Sequence, residues 1–148
     1  MKVTVVVSGG ARTRARLQRL GAGLHDFDDA MGKIGSGLAD YYSTVPFLSE
    51  GGVYGENWKP LESNYERQKV RMYPGRGILQ RTLKMQNGFR SEHGKTFATV
   101  RNRMPYFKYL QLGTVRMPQR LIMSINKANV TMITKVLQAD IERKLRQA

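Results

Sequence analysis

The sequence contains no cysteine, and that single absence removes several chemistries. Disulfides, thiolate metal sites, iron–sulfur clusters and a cysteine nucleophile are excluded together. Stability therefore has to come from packing or from association with other chains. Long apolar runs are also missing, since no stretch approaches the roughly 20 apolar residues of a membrane span. Met1 to Gly10 holds only a short apolar run with no small-residue cleavage site behind it. It predicts a first strand in place of a signal peptide, in a chain made and used in a cytosol-like compartment. Histidine is scarce. His25 lies beside Asp26, and His93 sits in the polar turn Ser91-Glu92-His93-Gly94. Neither has a partner at metal-ligand spacing, so solvated or helix-surface histidines are expected. Asp26, Asp28, Asp29 and His25 form the densest acidic cluster. Consecutive residues of a helix point in different directions and cannot close on one ion unaided. No nucleophile elbow or phosphate loop is present, and Pro74-Gly75-Arg76-Gly77 lacks the lysine–hydroxyl pair of a P-loop and reads as a turn. The expectation is a protein that is not an enzyme, with no catalytic residue, metal or cofactor.

What is present describes one globular domain over residues 1–148. Of 148 residues, 41% are hydrophobic and 24% charged, enough for one core and too apolar for a disordered chain. The charge is lopsided, with 25 basic against 11 acidic residues and a net +14. Such a field suits nucleic acid, an anionic membrane surface or an acidic protein partner. The basic residues are spread along the chain, so a solvated surface is the competing reading.

Lys2 to Val7 is β-branched and ends at Ser8-Gly9-Gly10, which predicts a strand. Leu17, Leu20, Leu24, Phe27, Met31, Ile34, Leu38 and Tyr41 then recur at steps of three and four, a heptad seam on a helix from about Arg12 to Tyr42. Glycines at 21, 23, 32, 35 and 37 interrupt it, each costing about 1 kcal/mol against alanine, so the helix needs tertiary or intersubunit packing. A core stripe and a subunit interface both fit the seam. Residues 44–60 read as a flexible loop excursion. Short helices are expected from Leu61 to about Lys69, with Pro60 at the start, and from Ile78 to about Gly88. Thr96 to Arg101 alternates as a strand, and Tyr106 to Leu112 is aromatic-rich and stops at Gly113. The last helix should present Val130, Ile133, Val136 or Leu137, Ile141 and Leu145 on one face, capped by Asn126 or Ser124. The element order does not alternate as a βαβ series, so the fold class is α+β. A small antiparallel or mixed sheet would be packed by a long N-terminal and a C-terminal helix.

Three ordered segments carry a resemblance: Gly55-Glu56-Asn57-Trp58-Lys59-Pro60-Leu61; Gly77-Ile78-Leu79 through Thr82 and Met85 to Phe89-Arg90; and Tyr106 to Thr114 followed by Met117-Pro118-Gln119-Arg120. Together, over roughly residues 50 to 145, they resemble the phage virion morphogenesis family of tail-completion or neck proteins. Leu83, Gly88, Phe107, Leu110 and the run Gln119-Arg120-Leu121 depart from that family's pattern and mark a divergent member. The resemblance implies a structural protein of the head–tail junction, without catalysis, joining the tail to the head-side connector. Its implied partners are further copies of itself in a hexameric ring, the connector, and tail-tube or tail-terminator proteins, with DNA in the channel as a further candidate and no membrane. Its place would be the virion, and the host cytoplasm during assembly. The motif residues Trp58, Pro60, Leu61, Gln111, Gly113, Thr114, Pro118 and Arg120 become the interface or structural candidates. Ordinary packing is the simple reading for Trp58 and Gly113; for Arg120 it competes evenly with an interface role, in which the planar donor fork would hold carboxylates or backbone carbonyls of a neighbour. Arginines interleaved with aromatics from Arg101 to Tyr109 leave a basic nucleic-acid-binding module as the alternative.

Overall fold

The structure, a computed structural model, describes residues 1–6, 10 and 26–147. The protein is α+β, with a three-stranded antiparallel sheet and helices that include two long ones, over residues 28–48 and 127–147. Contacts divide it into two compact units. One comprises Lys2–Leu38, Ser91–Val100 and Ile125–Ala148; the other comprises Met1, Ala39–Arg90 and Arg101–Ser124.

The centre of the sheet is built on β-branched and small residues. Strands β1 (Lys2–Val6), β2 (Phe89–His93) and β3 (Phe97–Asn102) lie in the order β1-β3-β2. The central position of β3 buries Ala98, Thr99 and Val100, and Thr4 of β1 meets Thr99 hydroxyl to hydroxyl at 3.2 Å. His93, expected in a turn, lies in β2. The polar Ser-Glu-His run conceals a strand because only one of its faces is covered, and edge strands tolerate such composition.

Helix α1 (Asp28–Leu48) begins where Asp26 Oδ1 accepts from the Asp28 amide at 3.0 Å, with Asp28 and Asp29 in the first turn, where the helix dipole favours carboxylates. Met31, Ile34 and Leu38 of the predicted seam are fully buried. Leu17, Leu20, Leu24, His25 and the glycines at 21 and 23 lie outside the described residues. Gly35 explains one of the costly glycines: a Cβ there would stand 3.1 Å from Ser91 Cβ and 3.6 Å from Ala98 Cβ. The bare backbone lets the helix lie directly on the sheet. Helix α4 (Lys127–Gln147) opens with a reciprocal cap, Asn126 Oδ1 accepting from Asn129 N at 3.0 Å and Asn129 Oδ1 from Asn126 N at 3.1 Å. Its predicted face is only partly covered. Val130 and Leu145 are exposed, while the residues it buries fully are Asn129 and Asp140.

The second unit is packed through aromatic edges. Phe47 meets Trp58 at 5.7 Å between centroids, and Phe89 meets Phe107 at 5.8 Å, both near perpendicular. Here three expectations are corrected. Residues 44–48 are not loop, because α1 continues to Leu48 through Pro46; burial of Pro46 and Phe47 outweighs the hydrogen bond that proline cannot donate. Past Leu48 the chain makes a turn and one 3₁₀ segment, Gly52–Tyr54, tied by Trp58 N to Glu50 O at 2.6 Å. Helix α2 covers Ser63–Met72, starting past Pro60, because the Glu62 carboxylate caps the amides of Asn64 and Tyr65. The helix expected from Ile78 to Gly88 is absent, leaving a 3₁₀ turn at Gln86–Gly88. Leu79 and Leu83 adopt φ of 62° and 59°, a left-handed backbone that no α-helix accommodates. The aromatic run forms helix α3 (Phe107–Leu112).

Candidate functional site

The apolar run after Arg120 belongs to no strand or helix, yet Ile122 and Met123 are buried. Its backbone polar groups need partners, since an unpaired buried amide or carbonyl costs about 1–3 kcal/mol. Side chains supply them. Gln111 of α3, 1% exposed, accepts from Ile122 N at 2.9 Å and Met123 N at 3.0 Å, and donates to Met123 O at 2.7 Å. Trp58 Nε1 donates to Leu121 O at 2.9 Å, Tyr54 to Ile122 O at 3.0 Å and Tyr42 to Ser124 O at 3.3 Å. Arg120 N adds a main-chain bond to Leu110 O at 2.8 Å. A glutamine and three aromatic donors thus do for residues 121–124 what a neighbouring strand does in a sheet. Burial raises both tyrosines, Tyr42 to about 12 and Tyr54 further, and the charges of Tyr41 on Tyr42, and of Tyr42 and Tyr41 on Tyr54, push the same way. Both stay donors throughout the physiological range.

Two of the three resemblance segments converge here. Trp58, Gln111, Gly113 and Arg120 all address the stretch from Gln119 onward. Gly113 has φ 73°, and a Cβ on it would stand 2.9 Å from Gln119 N, so the return of the chain requires glycine. Gln119 Nε2 closes the loop on Gln111 O at 3.0 Å. Thr114 forms the tip, its hydroxyl accepting from Met117 N at 3.0 Å while Thr114 N bonds Met117 O at 2.9 Å. Pro118 is half-buried, Leu61 half-buried and Pro60 exposed. Arg120 is 7% exposed, and one guanidinium nitrogen donates to Lys59 O at 3.1 Å within the same chain. Burial pulls its pKa down. The middle segment attaches elsewhere, through Ile78 N to Glu50 Oε1 at 3.1 Å and Met85 O to Asn102 Nδ2 at 2.7 Å. Sequence reasoning missed Tyr42, Tyr54 and Gln119. Their signal, a polar tip on an otherwise apolar position, is visible only once the unsupported run 121–124 is recognised.

Val115 at the tip of this turn is fully exposed and Leu112, at the end of α3, is 68% exposed; elsewhere in the same unit Leu48 is 77% exposed and Tyr106, Tyr109, Val70 and Met72 are exposed. The acidic cluster near residue 26 does not converge on one point. Asp26 pairs with Lys95 at 3.6 Å, Asp28 with His93 at 3.8 Å and Asp29 with Arg143 at 3.4 Å. Among the described residues no three His, Asp or Glu side chains are grouped to hold a metal, and no helix is long and apolar enough to cross a membrane. Set against known protein families, curated proteins and solved structures, the chain has no match.

Proposed function

We propose that this protein is a structural subunit of a tailed-phage head–tail junction, a neck or tail-completion protein that acts by assembly and catalyses nothing. The observation that carries the reading is the shared destination of the resemblance segments. Trp58, Gln111, Gly113 and Arg120, drawn from the first and third, jointly hold one extended strap and one projecting turn. Such residues keep a shape, as a joint in a particle requires. The exposed Leu112 and Val115 supply the second support, because apolar side chains on a pinned turn gain free energy only when a partner covers them. A hexameric ring repeating one heterologous contact, set between the head-side connector and the tail tube or its terminator, would cover them without leaving an open filament.

The test is size and shape. Light scattering with electron microscopy is expected to find closed rings of the wild-type protein. L112D/V115D should remain folded by circular dichroism and stay monomeric. A wild-type protein that is monomeric at every concentration and absent from purified particles ends the proposal.

A further inference from the structure

Along the sequence the acidic residues are unevenly placed. From Arg67 to Ala139 the sequence carries one acidic residue, Glu92, against fifteen lysines and arginines. In the second unit the hairpin register brings arginines side by side. Arg103 N bonds Gly88 O at 2.9 Å, and an antiparallel ladder continued from that pair sets Arg90 of β2 directly opposite Arg101 of β3. Both are exposed, and Arg103, also exposed, continues the same side of the extended chain. Arg90 is fixed there, Nη1 donating to Asn87 O at 2.9 Å and Phe89 O at 2.6 Å. From Arg103 the chain runs at once into the exposed rings of Tyr106 and Tyr109, with Lys108 Nζ 5.0 Å over the Tyr109 ring.

We infer that the outward arginine row Arg90, Arg101 and Arg103 is a binding surface for the phosphate backbone of nucleic acid, read without regard to sequence. Like charges kept in register favour a partner that places several negative charges at regular spacing, which a phosphodiester chain does. Exposed tyrosines beside cations add faces on which unpaired bases stack. The surface does not depend on the head–tail reading, since binding and ring formation are read separately.

Fluorescence anisotropy of labelled DNA, as duplex and as single strand, tests it across a salt series. The wild-type protein is expected to bind at about 150 mM salt. R90E/R103E should weaken binding by about 100-fold and flatten the salt dependence by about two phosphate contacts. K127E/K135E, an equal charge change on exposed lysines of α4, should cost less than about threefold. R90E alone sets a carboxylate opposite Arg101, so its Tm should hold or rise while affinity falls. R103Q reads the same contact if the double variant does not fold. Equal losses in the two double variants would overturn the inference, as would no binding at that salt. Poly-glutamate competing as well as DNA would also overturn it and give the face to an acidic protein.

Discussion

At the scale of single residues, the side chains that matter most are polar groups made indispensable by burial. Gln111 satisfies two amides and one carbonyl of a segment without other ladder partners. Removing it orphans all three, so Gln111→Ala is expected to cost about 2–4 kcal/mol in urea denaturation, more than an exposed glutamine ever does. Gln111→Glu keeps the acceptor and loses the donor, and should fall between. Equal stability of all three proteins would show the strap held by something else. Gly113→Ala faces both a left-handed backbone and the Gln119 main chain, and is expected to lose about 1–3 kcal/mol. Trp58 and Gly113 stood out in the sequence as the only tryptophan and as the stop after an aromatic run. Arg120 stood out for carboxylates or backbone carbonyls of a neighbour, whereas its guanidinium is turned inward onto a carbonyl of its own chain, Lys59 O. No sequence pattern distinguishes those two orientations, because the same planar fork serves either partner.

At the scale of elements, periodicity and capping chemistry located the helices, and local burial moved their ends. Met31, Ile34 and Leu38 are core at the spacing the seam predicts. The terminal helix begins at Asn126, one of the two caps its sequence offered. The failures have one cause. α1 passes Pro46, and the region from 78 to 88 abandons helix at Leu79 and Leu83, where long-range packing overrides local propensity. The contact of α1 with the sheet gives an element-scale prediction. Gly35→Val would press branched carbons on Ser91 and Ala98, forcing the helix away from β2 and β3. The expected loss is about 2–3 kcal/mol, while Gly35→Ala, needing a shift of a few tenths of an ångström, should cost less despite identical backbone freedom. A more stable Gly35→Ala would mean the gain in helix propensity exceeds the contact strain.

At the scale of the whole molecule, charge governs stability against pH. Asp140 is buried, which alone would raise its pKa; bonds from Lys144 and Arg143, and their charges, more than offset this and leave it below the usual carboxylate range. Asp26 is likewise lowered, first by its bond to the Asp28 amide and then, against a small desolvation cost, by Lys95 and Lys144. A carboxylate whose folded pKa is depressed contributes stability that is complete above its unfolded pKa, about 4, and is lost as pH falls through the lower folded value. Protonation of the eleven acids also leaves 25 basic side chains unopposed, adding repulsion at the same pH. The urea midpoint should therefore be flat from neutrality to about pH 5 and drop below about pH 4. Asp140→Asn should lose about 1–3 kcal/mol at neutral pH and converge on wild type in acid. A constant difference across the range would refute the role given to the carboxylate.

The sequence alone determined the α+β class, the absence of thiol chemistry, the terminal helix and the core register of α1, because these depend on composition and on spacing within one element. Tertiary structure decided that residues 121–124 are held by side chains, that Arg120 points inward, and that Arg90 faces Arg101. Each depends on which distant segments meet, and hydrogen-bond satisfaction and strand register are properties of pairs of segments that no single stretch of chain encodes.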